Sequence, residues 1–150
     1  VAYPERGRML VEEAMTTDLV TCPVGESVRG GVERVLRNHV GSVIVREENT
    51  PAGIATETDC LHAGFVADAP FGEIHIRTAM SSPLTTIQPE RTLRRATERM
   101  HDEGVKKLVV VDGMDLVGIV TTQDVIEAYH DLKAEIHDLV RADQAWSLDG

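Results

Sequence analysis

The chain is its own template: residues 11 to 65 align on residues 76 to 130 without a gap. Ala14, Met15, Leu19, Thr21, Arg29, Glu33, Arg34, Val40, Val45, Gly53, Ile54, Thr56, Asp59 and Ala63 each meet an identical residue in the second half. The best-kept stretch is Gly53-Ile54-Ala55-Thr56-Glu57-Thr58-Asp59, repeated as Gly118-Ile119-Val120-Thr121-Thr122-Gln123-Asp124. It reads as a buried strand that stops where a helix starts. A repeat of this length predicts two copies of one structural unit that cover each other's apolar surface.

The size of the chain permits this. At 150 residues and 42% hydrophobic content, it can bury roughly two thirds of its unfolded surface, enough for one compact domain or two small interlocked ones. Cys22 and Cys60 have no metal or CxxC spacing, and no secretory segment precedes them, so packing roles in a reduced cytoplasmic setting are expected. No apolar run approaches the roughly 20 residues of a membrane span, and no membrane partner is expected. The formal charge of -10 repels a phosphate backbone and argues against nucleic acid as a partner. Lysine is confined to Lys106, Lys107 and Lys133. Such a lysine-poor, acidic surface resembles that of proteins from salt-loving microbes, where salt screens self-repulsion.

Residues 1–9 are expected to form an N-terminal arm. Helical turns are predicted at Leu10 to Met15 and at Ile74 to Met80. In the first copy a strand at Leu19 to Cys22 leads to a helix capped by Ser27, with Val28, Val32, Val35 and Leu36 at helical spacing. Gly30 and Gly31 weaken that helix by roughly 1 kcal/mol each relative to Ala, and close packing is the expected reason for them. Strands follow at Val43 to Val45 and Ala52 to Ala55, then a helix from Glu57 to about Phe65 ending near Gly64. Ala69-Pro70-Phe71-Gly72 reads as the linker, giving a first repeat at 10–68, a linker at 69–73 and a second repeat at 74–131. The second copy predicts a strand at Leu84 to Ile87, a helix from a Thr92 cap to Glu103 stopped by Gly104, and two apolar strands joined through Asp112-Gly113. Runs as apolar as Leu108 to Val111 predict strands buried on both faces. A longer final helix from Gln123 and a tail carrying Trp146 complete the chain at 132–150.

At this point the chain resembles a known family, the tandem pair of CBS domains called a Bateman module. The resemblance rests on Thr21-Cys22-Pro23-Val24-Gly25-Glu26-Ser27-Val28 with Thr86-Ile87-Gln88-Pro89-Glu90-Arg91-Thr92-Leu93, on the strand entries Val40-Gly41-Ser42-Val43-Ile44-Val45 and Val105-Lys106-Lys107-Leu108-Val109-Val110-Val111-Asp112, and on both Gly-Ile-x-Thr-x-x-Asp frames. It covers residues 10 to about 130. It implies an α/β (α+β) fold of two pseudo-twofold-related repeats, each a small three-stranded sheet with two helices, packed sheet to sheet with clefts between them. It further implies that those clefts take an adenosine compound such as AMP, ADP, ATP or S-adenosylmethionine, that occupancy regulates an unidentified partner protein, and that two modules form a homodimer.

The residue types in the two frames suit that ligand. A Thr at a helix start offers a hydroxyl beside unpaired backbone N–H groups, where the helix dipole favours phosphate. An Asp three residues on presents a carboxylate able to accept from a ribose diol. Thr56 and Thr121 are thus assigned to phosphate, Asp59 and Asp124 to ribose; the alternative is that Thr-x-x-Asp is only a helix cap. By resemblance, the backbone of Thr21 and Cys22, or of Thr86 and Ile87, borders the base, and Val40 and Val105 line its slot. Lys106 and Lys107 enter the central strand where family members often carry a phosphate-directed base, whereas the first copy has Gly41 and Ser42 there, which predicts unequal clefts. The six histidines lack HExxH spacing and no GxSxG elbow occurs, so neither a metal site nor catalysis is expected. Two further readings stay open: an interaction homodimer with unoccupied clefts, and a regulatory fragment of an enzyme such as inosine monophosphate dehydrogenase.

Overall fold

The computed structural model describes residues 9–82 and 84–149, with the backbone alone at Leu132 and at 143–149. The expected arm lies outside the described residues up to position 8. The first copy runs α1 (Val11–Ala14), β1 (Thr21–Pro23), α2 (Val28–Asn38), β2 (Ser42–Glu47), β3 (Thr50–Thr56) and α3 (Glu57–Ala67). A 3-10 turn, Phe71–Glu73, occupies the linker, and α4 (Ile76–Ala79), β4 (Thr86–Ile87), α5 (Leu93–Glu103), β5 (Lys107–Asp112), β6 (Asp115–Thr121) and α6 (Thr122–Asp149) repeat the order. Each copy forms a three-stranded sheet, β1-β2-β3 or β4-β5-β6, with the first pair parallel and the second antiparallel.

Local chemistry sets these boundaries. The Ser27 hydroxyl accepts the Gly30 N–H at 3.2 Å and starts α2, while Thr92 accepts from the Arg95 N–H at 3.1 Å and starts α5. Helix α5 ends on Gly104 at φ 65°, whereas α2 ends on His39 at φ 54°. Helix α3 passes Gly64 and stops at Asp68 with φ 48°, because Gly64 is there for contact: a Cβ on it would come within 2.5 Å of the Phe71 ring. The strand expected from Leu84 is only Thr86–Ile87, since β1 and β4 pair on one side alone. Both β-hairpins close through two residues, Glu48-Asn49 and Gly113-Met114. Helix α6 continues where a tail was expected, so position 146 is helical; the Trp146 side chain lies outside the described ones. Among the described residues no helix is long and apolar enough to cross a membrane.

The central strands are buried on both faces, as their apolar runs predict. Val43 and Val45 are fully buried against the helices of the first copy, and Ile44, which alternation turns the opposite way, is still only 3% exposed. Val109 shows the same between Leu108 and Val110. The two sheets meet along β3 and β6, and that sheet-to-sheet contact covers the second face.

The sequence repeat and the packing unit differ in one respect. Helical turn α1 leaves its own copy: the Val11 N–H donates to the Arg91 carbonyl at 2.8 Å, and Val11 is buried in the second core with Ile87, Ala96 and Leu108. Turn α4 does the reverse, placing Ile74, Ile76 and Ala79 in the first core with Val28, Val43 and Val45. Each repeat thus completes its core with the leading turn of the other.

Candidate functional site

Both Thr-x-x-Asp frames sit where a strand becomes a helix. Thr56 ends β3 with its hydroxyl accepting the Asp59 N–H at 3.1 Å, and the Asp59 carboxylate accepts the Thr56 N–H through Oδ2 at 2.9 Å. Thr121 and Asp124 repeat this with distances of 3.2 and 2.9 Å, and the Thr121 hydroxyl also donates to Asp124 Oδ2 at 3.1 Å. The capping arrangement is therefore present in both copies. In each box Oδ2 is the oxygen engaged; Oδ1 lies outside it, and both carboxylates are half-buried. The cap fixes the side chain and leaves Oδ1 with acceptor capacity.

Each junction is tied to the strand entry of its own copy. The Glu57 N–H donates to the Gly41 carbonyl at 3.1 Å, and the Thr122 N–H donates to the Lys106 carbonyl at 3.0 Å. Ser42 pairs across the sheet with Thr56, and Lys107 pairs with Thr121. The Lys107 ammonium crosses between copies to donate to the Ser42 hydroxyl at 3.1 Å. Ser42, Thr56, Lys107 and Thr121 are thereby brought to one place at the boundary of the repeats, while the Lys106 side chain is exposed. A cation, three hydroxyls and two fixed carboxylates at one boundary can bind a ligand that is both anionic and rich in hydroxyls.

The remaining residues lie along the outer edge of each sheet. Thr21 and Val40 line a cleft of about 330 Å³ with Leu19 and Arg34. Thr86 and Ile87 instead line one of about 420 Å³ with Gln88, Arg91, Arg95 and Arg99. Val105 packs on the second core. Cys22 and Ile87 point their side chains inward and are 0% and 6% exposed, so only their backbones can border a ligand. Burial pushes the thiols of Cys22 and Cys60 up, and both are free. No cluster among the described residues has the three His, Cys, Asp or Glu side chains that would hold a metal ion.

Sequence reasoning missed the arginines of these edges. Arg34 Nη1 donates to Glu26 Oε2 at 3.1 Å, and Arg46 Nε donates to the Thr21 hydroxyl at 3.2 Å. A signal was present, since Arg91, Arg95 and Arg99 stand four apart, the first just before the Thr92 cap and the other two on one side of α5.

Comparison with known proteins gives the fold and frames a context. The CBS domain model matches residues 11–65 and 72–131. An uncharacterized protein of Methanopyrus kandleri, MK0525, is 31% identical over 130 residues, covering 85% of this chain and 66% of that protein. MJ1404 of Methanocaldococcus jannaschii is 30% identical over 137 residues, 82% of this chain and 32% of that protein. The chain thus spans from a third to two thirds of the length of these relatives. Among solved structures, a putative acetoin utilization protein of Vibrio cholerae superposes with a TM-score of 0.77 at 21% identity, over 87% of this chain and 97% of its own. The CBS domain pair of MJ0100, in complex with 5'-methylthioadenosine and S-adenosylmethionine, gives 0.72 at 17% identity over 83% and 98%. CBSX2 in complex with AMP gives 0.73 at 20% identity over the same shares. With both halves matched by the family model and two three-stranded sheets arranged as in these pairs, the chain belongs to the CBS domain family as a tandem pair.

Proposed function

We propose that this protein is a regulatory module that binds an adenosine compound, of the AMP, ADP, ATP or S-adenosylmethionine class, at the boundary of its repeats, and that occupancy is read by a partner protein without a catalytic step. The observation that carries this reading is the duplicated cap, in which one oxygen of Asp59 and of Asp124 is fixed by the helix start and the other is left for a ribose diol. The Thr56 hydroxyl, which accepts the Asp59 N–H, can donate to a phosphate, whereas the Thr121 hydroxyl must give up its bond to Asp124 to do so. The ligands named for the MJ0100 pair and for CBSX2 support the class. The strand entries differ in residue type, and the Lys107 ammonium held at Ser42 supplies the cation for a phosphate-bearing ligand at the boundary the two copies share.

A homodimer fits the surface. Leu61, Phe65 and Val66 on α3 are 66%, 86% and 67% exposed, and they adjoin an apolar groove of about 220 Å³ between α2 and α3 that a second copy would cover.

Calorimetric titration with AMP, ATP and S-adenosylmethionine tests the reading, together with Asp59→Ala and Asp124→Ala. The expected result is saturable binding that one of the two substitutions weakens about tenfold or more, the loss of a hydrogen bond to a charged group. Binding unchanged in both variants removes the ribose assignment. Thermal melts unmoved by every adenosine ligand would favour the interaction homodimer, because a ligand of the folded state must raise stability.

A further inference from the structure

The two copies treat one groove in opposite ways. It runs between the edge strand and the first long helix of each repeat, and it contains the matched arginines Arg34 and Arg99. In the first repeat it carries its own counter-charge. Glu26 lies over α2, where a Cβ on Gly30 would come within 2.3 Å of its carboxyl, and its Oε2 accepts from Arg34 at 3.1 Å. The Ser27 N–H first, and Arg34 second, hold Glu26 below the usual carboxylate range. Arg46 reaches the same edge, donating to the Thr21 hydroxyl.

In the second repeat three of those positions change around the retained pair Thr86 and Arg99. The place of Glu26 is taken by Arg91, that of Gly30 by Arg95 and that of Arg46 by Val111. The result is an open cleft of about 420 Å³ in which three arginines and the Thr86 edge converge and, among the described residues, no carboxylate lines the wall. Arg91 Nε is steered by Gln88 Oε1 at 3.1 Å. Among the described residues, the Arg95 guanidinium has only an exposed contact with Glu98 at 3.5 Å, of the kind that contributes little. Arg99 Nε is buried and, among the described residues, meets no acceptor. A buried guanidinium N–H without an acceptor is costly, and the matched arginine of the first repeat has a carboxylate on its guanidinium, at Nη1.

We propose that the cleft bounded by Arg91, Arg95, Arg99 and Thr86 is a binding site for a compact phosphate-type oxyanion, separate from the boundary between the repeats. The charge count selects phosphate over a monocarboxylate: one arginine suffices for Glu26, whereas three planar forks match an ion of charge near -2 or beyond. The site goes beyond the adenosine reading and does not depend on it.

The first repeat supplies the control. Arg91→Glu with Arg95→Gly rebuilds the carboxylate and the space that Arg34 enjoys. Thermal melts and calorimetry would be run on the full chain with inorganic phosphate, pyrophosphate and citrate at constant ionic strength, so that general salt effects cancel. The expected result is saturable stabilisation by pyrophosphate, weaker by phosphate, and reduced about tenfold or more in Arg95→Glu and in the double variant. The double variant should also unfold cooperatively without added anion, which shows that it folds, the ion pair gained by Arg99 offsetting the helix propensity lost in Arg95→Gly. Asp59→Ala and Asp124→Ala should leave the pyrophosphate response intact, which separates this site from the adenosine cleft. No saturable response to phosphate or pyrophosphate, or an equal response in the double variant, overturns the proposal; a response to citrate alone overturns the assignment to phosphate.

Discussion

The two repeats share a backbone plan but solve the same local problems with different residues. Where the chain must turn through positive φ, the second repeat places Gly104 and Gly113 at φ 65° and 66°, and the first places His39 and Glu48 at φ 54° and 57°. A side chain in that region costs about 1 kcal/mol. The glycines of the first repeat are found elsewhere, at Gly30 and Gly31 inside α2, where the second has Arg95 and Ala96. Gly30 makes room for Glu26 and Gly31 makes room for Ile76, whose Cδ1 would lie 2.9 Å from an added Cβ. In the second core the incoming residue is the smaller Val11, and Ala96 fits. The lesson is that glycine in this chain follows the volume of the exchanged turn as much as the needs of the backbone.

The exchange itself can be broken most forcefully at Ile76. It is fully buried, and Ile76→Ala should cost about 2–5 kcal/mol, the usual range for a buried Ile or Leu truncation. Ile76 belongs to the second copy by sequence and to the first by packing. Hydrogen exchange should therefore accelerate in α2, β2 and β3 more than in α5, β5 and β6. Loss of protection in the second sheet instead would mean that α4 supports its own repeat.

The coupling between glycine and turn volume is sharpened by a double-mutant cycle of intermediate size. Gly31→Ala alone gains helix propensity but meets Ile76, with a net cost of about 1–2 kcal/mol. Ile76→Val alone should cost about 0.5–1.5 kcal/mol. The pair reproduces Ala96 with Val11, and denaturant unfolding should find the double variant more stable than the sum of the single losses by about 1 kcal/mol. Strict additivity would show that Gly31 serves α2 for some other reason.

The fold was legible in the sequence because duplication supplied its own confirmation. Ser27 and Thr92 cap the helices they were expected to cap, and Gly104 ends α5. Local signals failed where a tertiary contact decided. Gly64 looked like a helix stop but serves the Phe71 ring, and the helix ran on to Asp68. The exchange of α1 and α4 left no local trace, since the two turns have equivalent sequences and periodicity cannot say which core receives them. At the boundary site, the Thr-x-x-Asp frames announced the capped geometry. The Lys107–Ser42 contact depends on the meeting of two sheets and could not be read from spacing. The arginine groove shows in the sequence as the spacing of Arg91, Arg95 and Arg99 and in the substitutions between the copies, two signals that a search for identities passes over.

The smallest expected difference appears only in alkali. Cys22 and Cys60 are buried in the first core at positions where the second repeat has Ile87 and Val125. Burial is the main cause that pushes both thiols above their ordinary value of 9.0, with Asp59 adding to the effect at Cys60. The sign follows from proton counting. Above the ordinary thiol value the unfolded chain has released protons that the folded chain retains, so stability is full below that pH and declines as pH rises toward the folded values. Each thiol contributes a slope of at most about 1.4 kcal/mol per pH unit in that window. Urea unfolding between pH 8 and pH 10 should show the decline in the parent chain and a flatter profile in Cys22→Val with Cys60→Val, which gives the first core the chemistry of the second. An unchanged slope in that variant would assign the alkaline loss to groups common to both repeats, and the thiols would then differ from Ile87 and Val125 in size alone.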